Sequence, residues 1–281
     1  MRTWRELRAA CEKQLARAGV ERPARLVLDW FDDVFGRASR RDDEAVPTAS
    51  LAQAQGQLEH LLAGEPLAYV TGVAHFYGYE LDVAPGVLIP RPETEELVRW
   101  VLESHELQPA LRFADWCTGS GCIAVALALR RLTWRGVAYD ASPHAVAVAQ
   151  ANVRKHDLGS HLRVRQADIF AAREAAEGPY DLIVSNPPYI PASDWHRVDA
   201  QVADHEPRMA LVTDGDDALL FYRRLAAMAP LELRPGGWLY VECNDRYAHQ
   251  VAEYFEANSL NGVEVLDDMQ GKPRHVRAQR V

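Results

Sequence analysis

Four consecutive residues, Asn186-Pro187-Pro188-Tyr189, follow the strand-like run Asp181–Ser185 and combine groups suited to chemistry at a weakly nucleophilic nitrogen. An amide or conjugated amino nitrogen delocalises its lone pair into the neighbouring π system. To attack an electrophilic carbon such as a methyl group it must pyramidalise, and acceptors aimed at its two N–H bonds favour that change. Asn186 offers a side-chain carbonyl for this purpose, and the Pro187 backbone carbonyl offers a second. Proline fixes φ and removes competing donors, so Pro187 and Pro188 hold the acceptors in a rigid frame. Tyr189 brings a ring that can stack on a planar amide or base. Such a reaction depends on alignment rather than on a strong base, because the nitrogen becomes acidic once alkylated. The same four residues also make an ordinary turn, so their weight rests on the elements around them.

A second constellation lies upstream. Asp115-Trp116-Cys117-Thr118-Gly119-Ser120-Gly121 joins a strand to a helix, where glycines permit positive φ and free helix N–H groups face a ligand. Asp140 ends the next strand, 21 residues after Gly119, where nucleotide-binding sheets place a carboxylate that accepts both ribose hydroxyls. A tight turn and a helix-capping acid would look alike. A dinucleotide site wants G-x-G-x-x-G with pyrophosphate on the helix N-terminus. This loop instead resembles the D-x-G-x-G-x-G pattern that class I methyltransferases use for S-adenosylmethionine (SAM), whose positive sulfonium suits an acidic domain. Cys117 stands at the first glycine of that pattern. A non-glycine residue with positive φ is costly, so Cys117 is expected at negative φ, as a small buried hydrophobe.

The elements that must position these residues alternate. Strands are expected at Leu111–Trp116, Val137–Asp140, Leu162–Gln166, Asp181–Ser185, Trp238–Glu242 and Val263–Leu266. Helical patterns fall between them at Gly121–Arg131, Pro143–Lys155, Asp216–Met228 and Tyr247–Asn258. The fold class is therefore α/β, a doubly wound Rossmann-like, mostly parallel sheet with ligands beyond the C-terminal strand ends. Ahead of it, residues 1–64 carry three helical stripes punctuated by Gly19, Gly36 and Pro47, and predict a small helical bundle. Residues 65–92, rich in aromatic, Gly and Pro residues, predict a β-hairpin connector, and 93–281 the catalytic domain. A helix is expected from Pro92, with Glu93, Glu95 and Glu96 near its positive end.

Composition narrows the classes. With 48% hydrophobic and 25% charged residues the chain is an ordinary globular one, and its longest apolar run, Cys122–Leu129, is far short of a membrane span. Neither a secretory signal nor a membrane association is expected, and the predicted location is cytoplasmic. The net charge of −9 disfavours nucleic acid as a partner. The four cysteines and ten histidines show no metal-ligand spacing, so no metal is expected. The chain is expected to be a monomer.

At greater length the sequence resembles the protein-glutamine N5-methyltransferases of the HemK/PrmC type. The resemblance runs through EPLAYVTG (65–72), FYGYELDV (76–83), VLIPRPETEELV (87–98), DWCTGSGCIAVALA (115–128), DASPHAVAVAQAN (140–152), DLIVSNPPYIP (181–191), HEPRMAL (205–211) and LRPGGWLYVE (233–242). It implies SAM as cofactor and, as partner, a class I peptide chain release factor whose Gly-Gly-Gln loop is methylated. It further implies that Cys117, Thr118, Gly119, Ser120 and Gly121 hold the methionine part of SAM, that Asp140 holds the ribose, and that Asp168 and Ile169 lie at the adenine. Asn186, Pro187, Pro188 and Tyr189 would hold the substrate glutamine, with Asn186 also against the cofactor and Asn186 and Pro187 as catalytic residues. Arg91, Pro92 and Glu93 would border the cofactor, and the N-terminal bundle would grip the release factor. The chain departs from the family at Cys117 and at Glu242-Cys243-Asn244, where Glu-Ile-Gly is usual. The closest alternative is the sibling enzyme acting on a glutamine of a ribosomal large-subunit protein; a DNA or RNA amino-methyltransferase is more distant.

Overall fold

A computed structural model of the protein describes residues 2–171 and 177–281. The chain divides into two compact units, Met1–Val73 and Ala74–Val281.

The first unit is helical: α1 (Trp4–Arg17), α2 (Pro23–Phe35), α3 (Thr48–Leu62) and the short α4 (Leu67–Thr71). Thr3 caps α1 with Glu6 in a reciprocal capping box, which satisfies two backbone donors that helix geometry leaves open. Trp4, Leu7, Cys11 and Leu15 then bury one face against Val27, Trp30 and Phe31 of α2 and Leu58 and Leu61 of α3. α4 lies beyond residue 64, the end expected for the bundle, and inside the first unit.

The unit boundary falls after the first residue of β1 (Val73–Phe76), which forms a hairpin with β2 (Tyr79–Asp82) and is followed by α5 (Pro92–Ser104). Of the three glutamates expected at the positive end of α5, Glu95 accepts the Tyr77 amide and Glu96, buried, accepts that of Met269. Alternation then begins with β3 (Arg112–Trp116), α6 (Cys122–Arg130), β4 (Arg135–Asp140), α7 (Pro143–Lys155), β5 (Leu162–Gln166) and β6 (Tyr180–Ser185). After the short helices α8 (Ala200–His205) and α9 (Arg208–Leu211) come α10 (Leu220–Glu232), β7 (Leu233–Glu242), α11 (Ala248–Ala257), β8 (Leu260–Asp267) and β9 (Pro273–Arg280).

The seven-stranded sheet runs β5-β4-β3-β6-β7-β9-β8. Its first five strands are parallel, and β9 pairs antiparallel with both β7 and β8. Order reverses between β3 and β6, which makes their C-terminal ends the ligand crevice of a doubly wound sheet. Apolar clusters on both faces bury the sheet, one around Phe113, Trp134 and Leu182, the other around Ile183, Tyr222 and Phe255.

β9 was not expected from the sequence. It carries Arg274, His275, Arg277 and Arg280 within eight residues, which reads as a polar tail. In the fold Arg274 pairs with the buried Asp268, and Arg277 pairs with Glu264 while stacking on Trp100 and Trp238 at 4.9 and 4.7 Å from their ring centres. Tertiary partners thus satisfy charges that local periodicity marks as surface.

Candidate active site

A cavity of about 250 Å³ lies at the C-terminal ends of β3, β4, β5 and β6. Cys117, Thr118, Gly119 and Ser120 line it, as do Asp140, Asp168 and Ile169. Asn186, Pro188 and Arg91 also face it. Five of the residues singled out in the sequence, Gly121, Pro187, Tyr189, Pro92 and Glu93, are not among its lining residues. Tyr189 packs against the apolar cluster containing Trp116 and Tyr222. Pro92 opens α5, and Glu93 offers its backbone carbonyl to His275.

The glycine turn is held from inside. Asp115 is fully buried; its Oδ2 accepts the Thr118 hydroxyl at 2.5 Å and the Ala124 amide at 3.2 Å, which fixes the turn to the first residues of α6. Burial pushes the Asp115 carboxyl up to about 7 against these two hydrogen bonds. The Thr118 amide reaches across to the Tyr139 carbonyl at 2.9 Å. Gly121 has φ +83°, and a Cβ there would meet Ala149 Cβ on α7 at 3.2 Å, so glycine lets α6 start close against its neighbour.

Cys117 corrects the sequence expectation: its φ is +60°, in the left-handed region, as are Gly119 and Gly121. The turn has to leave β3, return the Thr118 amide to β4 and enter α6, and Cys117 takes the conformation for which the wider pattern uses glycine. Its side chain packs against the apolar cluster while also lining the cavity. Burial, then the carboxylates of Asp140 and Asp115, raise the thiol well above its ordinary range, so it stays protonated.

Asp140 joins the second strand to the first turn. Its Oδ2 accepts the Gly119 amide at 2.8 Å and its Oδ1 accepts the Ser142 amide at 2.9 Å. The cap of α7 is Ser142 itself, whose hydroxyl accepts the Ala145 amide. Asp140 is therefore a backbone clamp facing the cavity, with lone pairs left on both oxygens. Burial raises its carboxyl, and the Ser142 and Gly119 amides oppose that rise.

Asn186 stands immediately after β6, whose last residue, Ser185, donates its hydroxyl to the Trp116 carbonyl at 2.6 Å. That bond ties the Asn-Pro-Pro-Tyr segment to the glycine turn. The Asn186 amino group donates to Thr94 Oγ1 at 3.1 Å, and the Thr94 hydroxyl donates to Glu242 Oε2 at 2.6 Å. Arg91 and Glu206 form an ion pair, and Glu206 also accepts the Ile89 amide, so two further wall segments are joined.

Several cavity residues escaped the sequence reading. Thr94 is one; nothing local marks it, although it stands inside the stretch VLIPRPETEELV (87–98). Phe170 and Phe221, edge to face at 4.9 Å between ring centres, and Met209, 63% exposed, form an apolar wall. Phe221 falls in a helix whose periodicity reads as core, so only tertiary structure brings it to Phe170.

This donor set fits a cationic nucleoside: carboxylates at Asp140 and Asp168, free lone pairs on Asp140, and an apolar wall for a planar base. The sheet order and the site together define a class I SAM-dependent methyltransferase. The family described as Methyltransferase small domain matches residues 96–232. A release factor glutamine methyltransferase of Bacteroides thetaiotaomicron is 40% identical over 80% of this chain and 81% of its own length. That of Cereibacter sphaeroides is 36% identical over 99% of each chain. Among solved structures, the N-terminal domain of human METTL16 in complex with SAH shares the fold, with a TM-score of 0.53, 20% identity, and 73% of this chain and 76% of that one covered. The chain belongs to the release factor glutamine methyltransferase family.

Proposed function

We propose that this protein transfers a methyl group to the side-chain amide nitrogen, N5, of the glutamine in the Gly-Gly-Gln motif of class I peptide chain release factors. The observation that carries the reading is the Asn186 side chain: it lines the same cavity as Asp140 and the glycine turn, with its amino end committed to Thr94 and its carbonyl end left for another donor. SAM would supply the electrophilic methyl group, whose bond to sulfur breaks as the bond to nitrogen forms, with the neutral thioether S-adenosylhomocysteine as leaving group. Asp140 would accept the ribose hydroxyls, residues 117–120 would border the methionine part, and Ile169, Phe170 and Phe221 would pack on the base. Asn186 accepts one amide N–H bond of the substrate, and the carbonyl of the adjacent Pro187, although that residue is not among those lining the cavity, is assigned the other, which turns the nitrogen lone pair out of conjugation. The proton then leaves to water from a nitrogen made acidic by alkylation, so no side-chain base is required. The names of the relatives support the release factor as substrate, and the net charge of −9 opposes nucleic acid. The first unit, which carries none of the residues assigned to the chemistry, is assigned to gripping the protein substrate. The setting we propose is the cytoplasm, where translation terminates.

Tritium transfer from labelled SAM to purified release factor, to ribosomal large-subunit protein and to DNA tests this reading in one assay. Label is expected on the release factor and confined to the Gly-Gly-Gln glutamine. Label on ribosomal protein or DNA instead would replace the substrate assignment.

A further inference from the structure

An asparagine can present either end of its amide to a substrate, and only one end helps here. The carbonyl accepts an N–H of the nitrogen to be methylated; the amino end would meet it donor to donor. Two buried residues outside the Asn-Pro-Pro-Tyr segment decide between them. Thr94, in the first turn of α5, is 2% exposed, and Glu242, the last residue of β7, is 1% exposed. Thr94 donates its hydroxyl proton to Glu242 at 2.6 Å, and Asn186 lies 3.1 Å from the same hydroxyl oxygen. A hydroxyl has one proton to give. Once Glu242 has taken it, the Thr94 oxygen can only accept, so the end of Asn186 that meets it must be the amino group.

We propose that Thr94 and Glu242 are positioning residues for methyl transfer: the Glu242 carboxylate, acting through the Thr94 hydroxyl, holds the amino end of Asn186 and turns its carbonyl oxygen to the substrate nitrogen. This rests on Asn186 being the acceptor for the substrate amide. An ionised Glu242 accepts only, which makes the direction of the chain unique. A protonated Glu242 can donate to Thr94, the Thr94 proton is then free to point at Asn186, and the flipped amide is admitted.

The surroundings make this direction sensitive to pH. Burial raises the Glu242 carboxyl to about 7; Thr94, Arg274 on β9 and Asn186 favour the ionised form, and Glu93 on α5 opposes it. His275, opposite Glu242 in the β7–β9 register, is held neutral by burial, pushed down to about 4. Tyr189, Tyr222 on α10, Cys122 on α6 and Cys243 keep their protons because burial raises all four.

The test uses the full chain with release factor as substrate, measuring kcat and both KM values from pH 5.5 to 9, with SAM affinity by calorimetry. Thr94→Val keeps the side-chain shape and removes the hydroxyl; Thr94→Ser keeps the hydroxyl; Glu242→Gln introduces a second possible donor. Thr94→Val and Glu242→Gln are expected to lower kcat about 10-fold or more, by analogy with the loss of residues that orient metal ligands, with SAM affinity little changed. Thr94→Ser should restore most of kcat. Wild-type kcat should fall on the acid side of pH about 7, and Glu242→Gln should weaken that limb, leaving only the part that Asp115, also raised to about 7, contributes. Wild-type kcat in a folded Thr94→Val protein, or an acid limb unchanged in Glu242→Gln, would overturn the proposal. Should Thr94→Val fail to fold, the acid limb and its weakening in Glu242→Gln decide. If wild-type enzyme labels a different substrate, the function reading fails, and the same variants are measured on the substrate that is labelled.

Discussion

Asp140 and Gly119 are joined by a 2.8 Å hydrogen bond from the glycine amide to a carboxylate oxygen, between the end of β4 and the turn after β3. One side chain thereby fixes the spacing of the two strand ends that border the cavity. It does so while keeping acceptor capacity for a ligand, because each carboxylate oxygen has a second lone pair.

Asp140→Ala removes both the clamp and the ribose acceptors. SAM binding is expected to weaken by on the order of 1.5–3 kcal/mol, the worth of hydrogen bonds to a charged group. Calorimetric titration measures this. An unchanged dissociation constant would leave Asp140 as a turn clamp alone.

Asn186→Ala removes the acceptor that the substrate nitrogen needs. Because that interaction strengthens as the nitrogen pyramidalises, kcat should drop roughly 10²-fold or more, with SAM affinity and melting temperature close to wild type. Single-turnover methylation of release factor reads the chemical step directly. Near-normal turnover in a folded variant would remove Asn186 from the mechanism.

At Cys117 the backbone has φ +60°. Glycine adopts this conformation freely, whereas a β-branched residue is strained by on the order of 1–3 kcal/mol. Cys117→Gly should keep SAM affinity, because relief of strain offsets the lost apolar contact. Cys117→Val should lower the melting temperature and weaken SAM binding. Thermal unfolding and titration on both variants separate backbone strain from any chemical role of sulfur, and equal behaviour of the two would discard the strain argument.

Burial pushes the Glu232 carboxyl up to about 7 from an ordinary 4.5, against the Trp116 indole N–H that hydrogen-bonds it at 3.3 Å. The folded protein therefore holds a proton that the unfolded chain releases. The contribution of Glu232 to stability falls as pH rises from about 4.5 to about 7 and is level above that. Glu232→Gln keeps an acceptor for Trp116 without the ionisation, so its advantage over wild type should grow across this range to about 3 kcal/mol. Denaturant unfolding at pH 5 and pH 8 checks it. A constant difference would mean that Glu232 titrates normally.

A chain lacking residues 1–72 removes the helical unit and none of the cavity lining. It should bind SAM with near-normal affinity and methylate intact release factor with a much lower kcat/KM. Equal kcat/KM for both chains would refute a substrate-gripping role for the first unit.

The parallel core of the sheet was legible in the sequence because buried parallel strands are short apolar runs between amphipathic helices, and both patterns are local. α7 begins and ends at the predicted residues, Pro143 and Lys155, because Ser-Pro opens a helix at a fixed place. The residue types of the site were legible for the same reason: the glycine turn, Asp140 and Asn186 each stand at the end of a strand that the pattern reveals. Partnership was not legible. β9 is polar by periodicity yet paired on both sides, since Asp268, Glu264, Trp100 and Trp238 take up its charges only when the chain is folded. The sign of φ at Cys117 followed from the path between β3 and α6, which outweighs the intrinsic preference of the residue. Thr94 and Glu242, 148 residues apart, meet only because α5 packs against the end of β7. A hydrogen bond depends on distance and direction in space, and over that separation neither is written in the order of the residues.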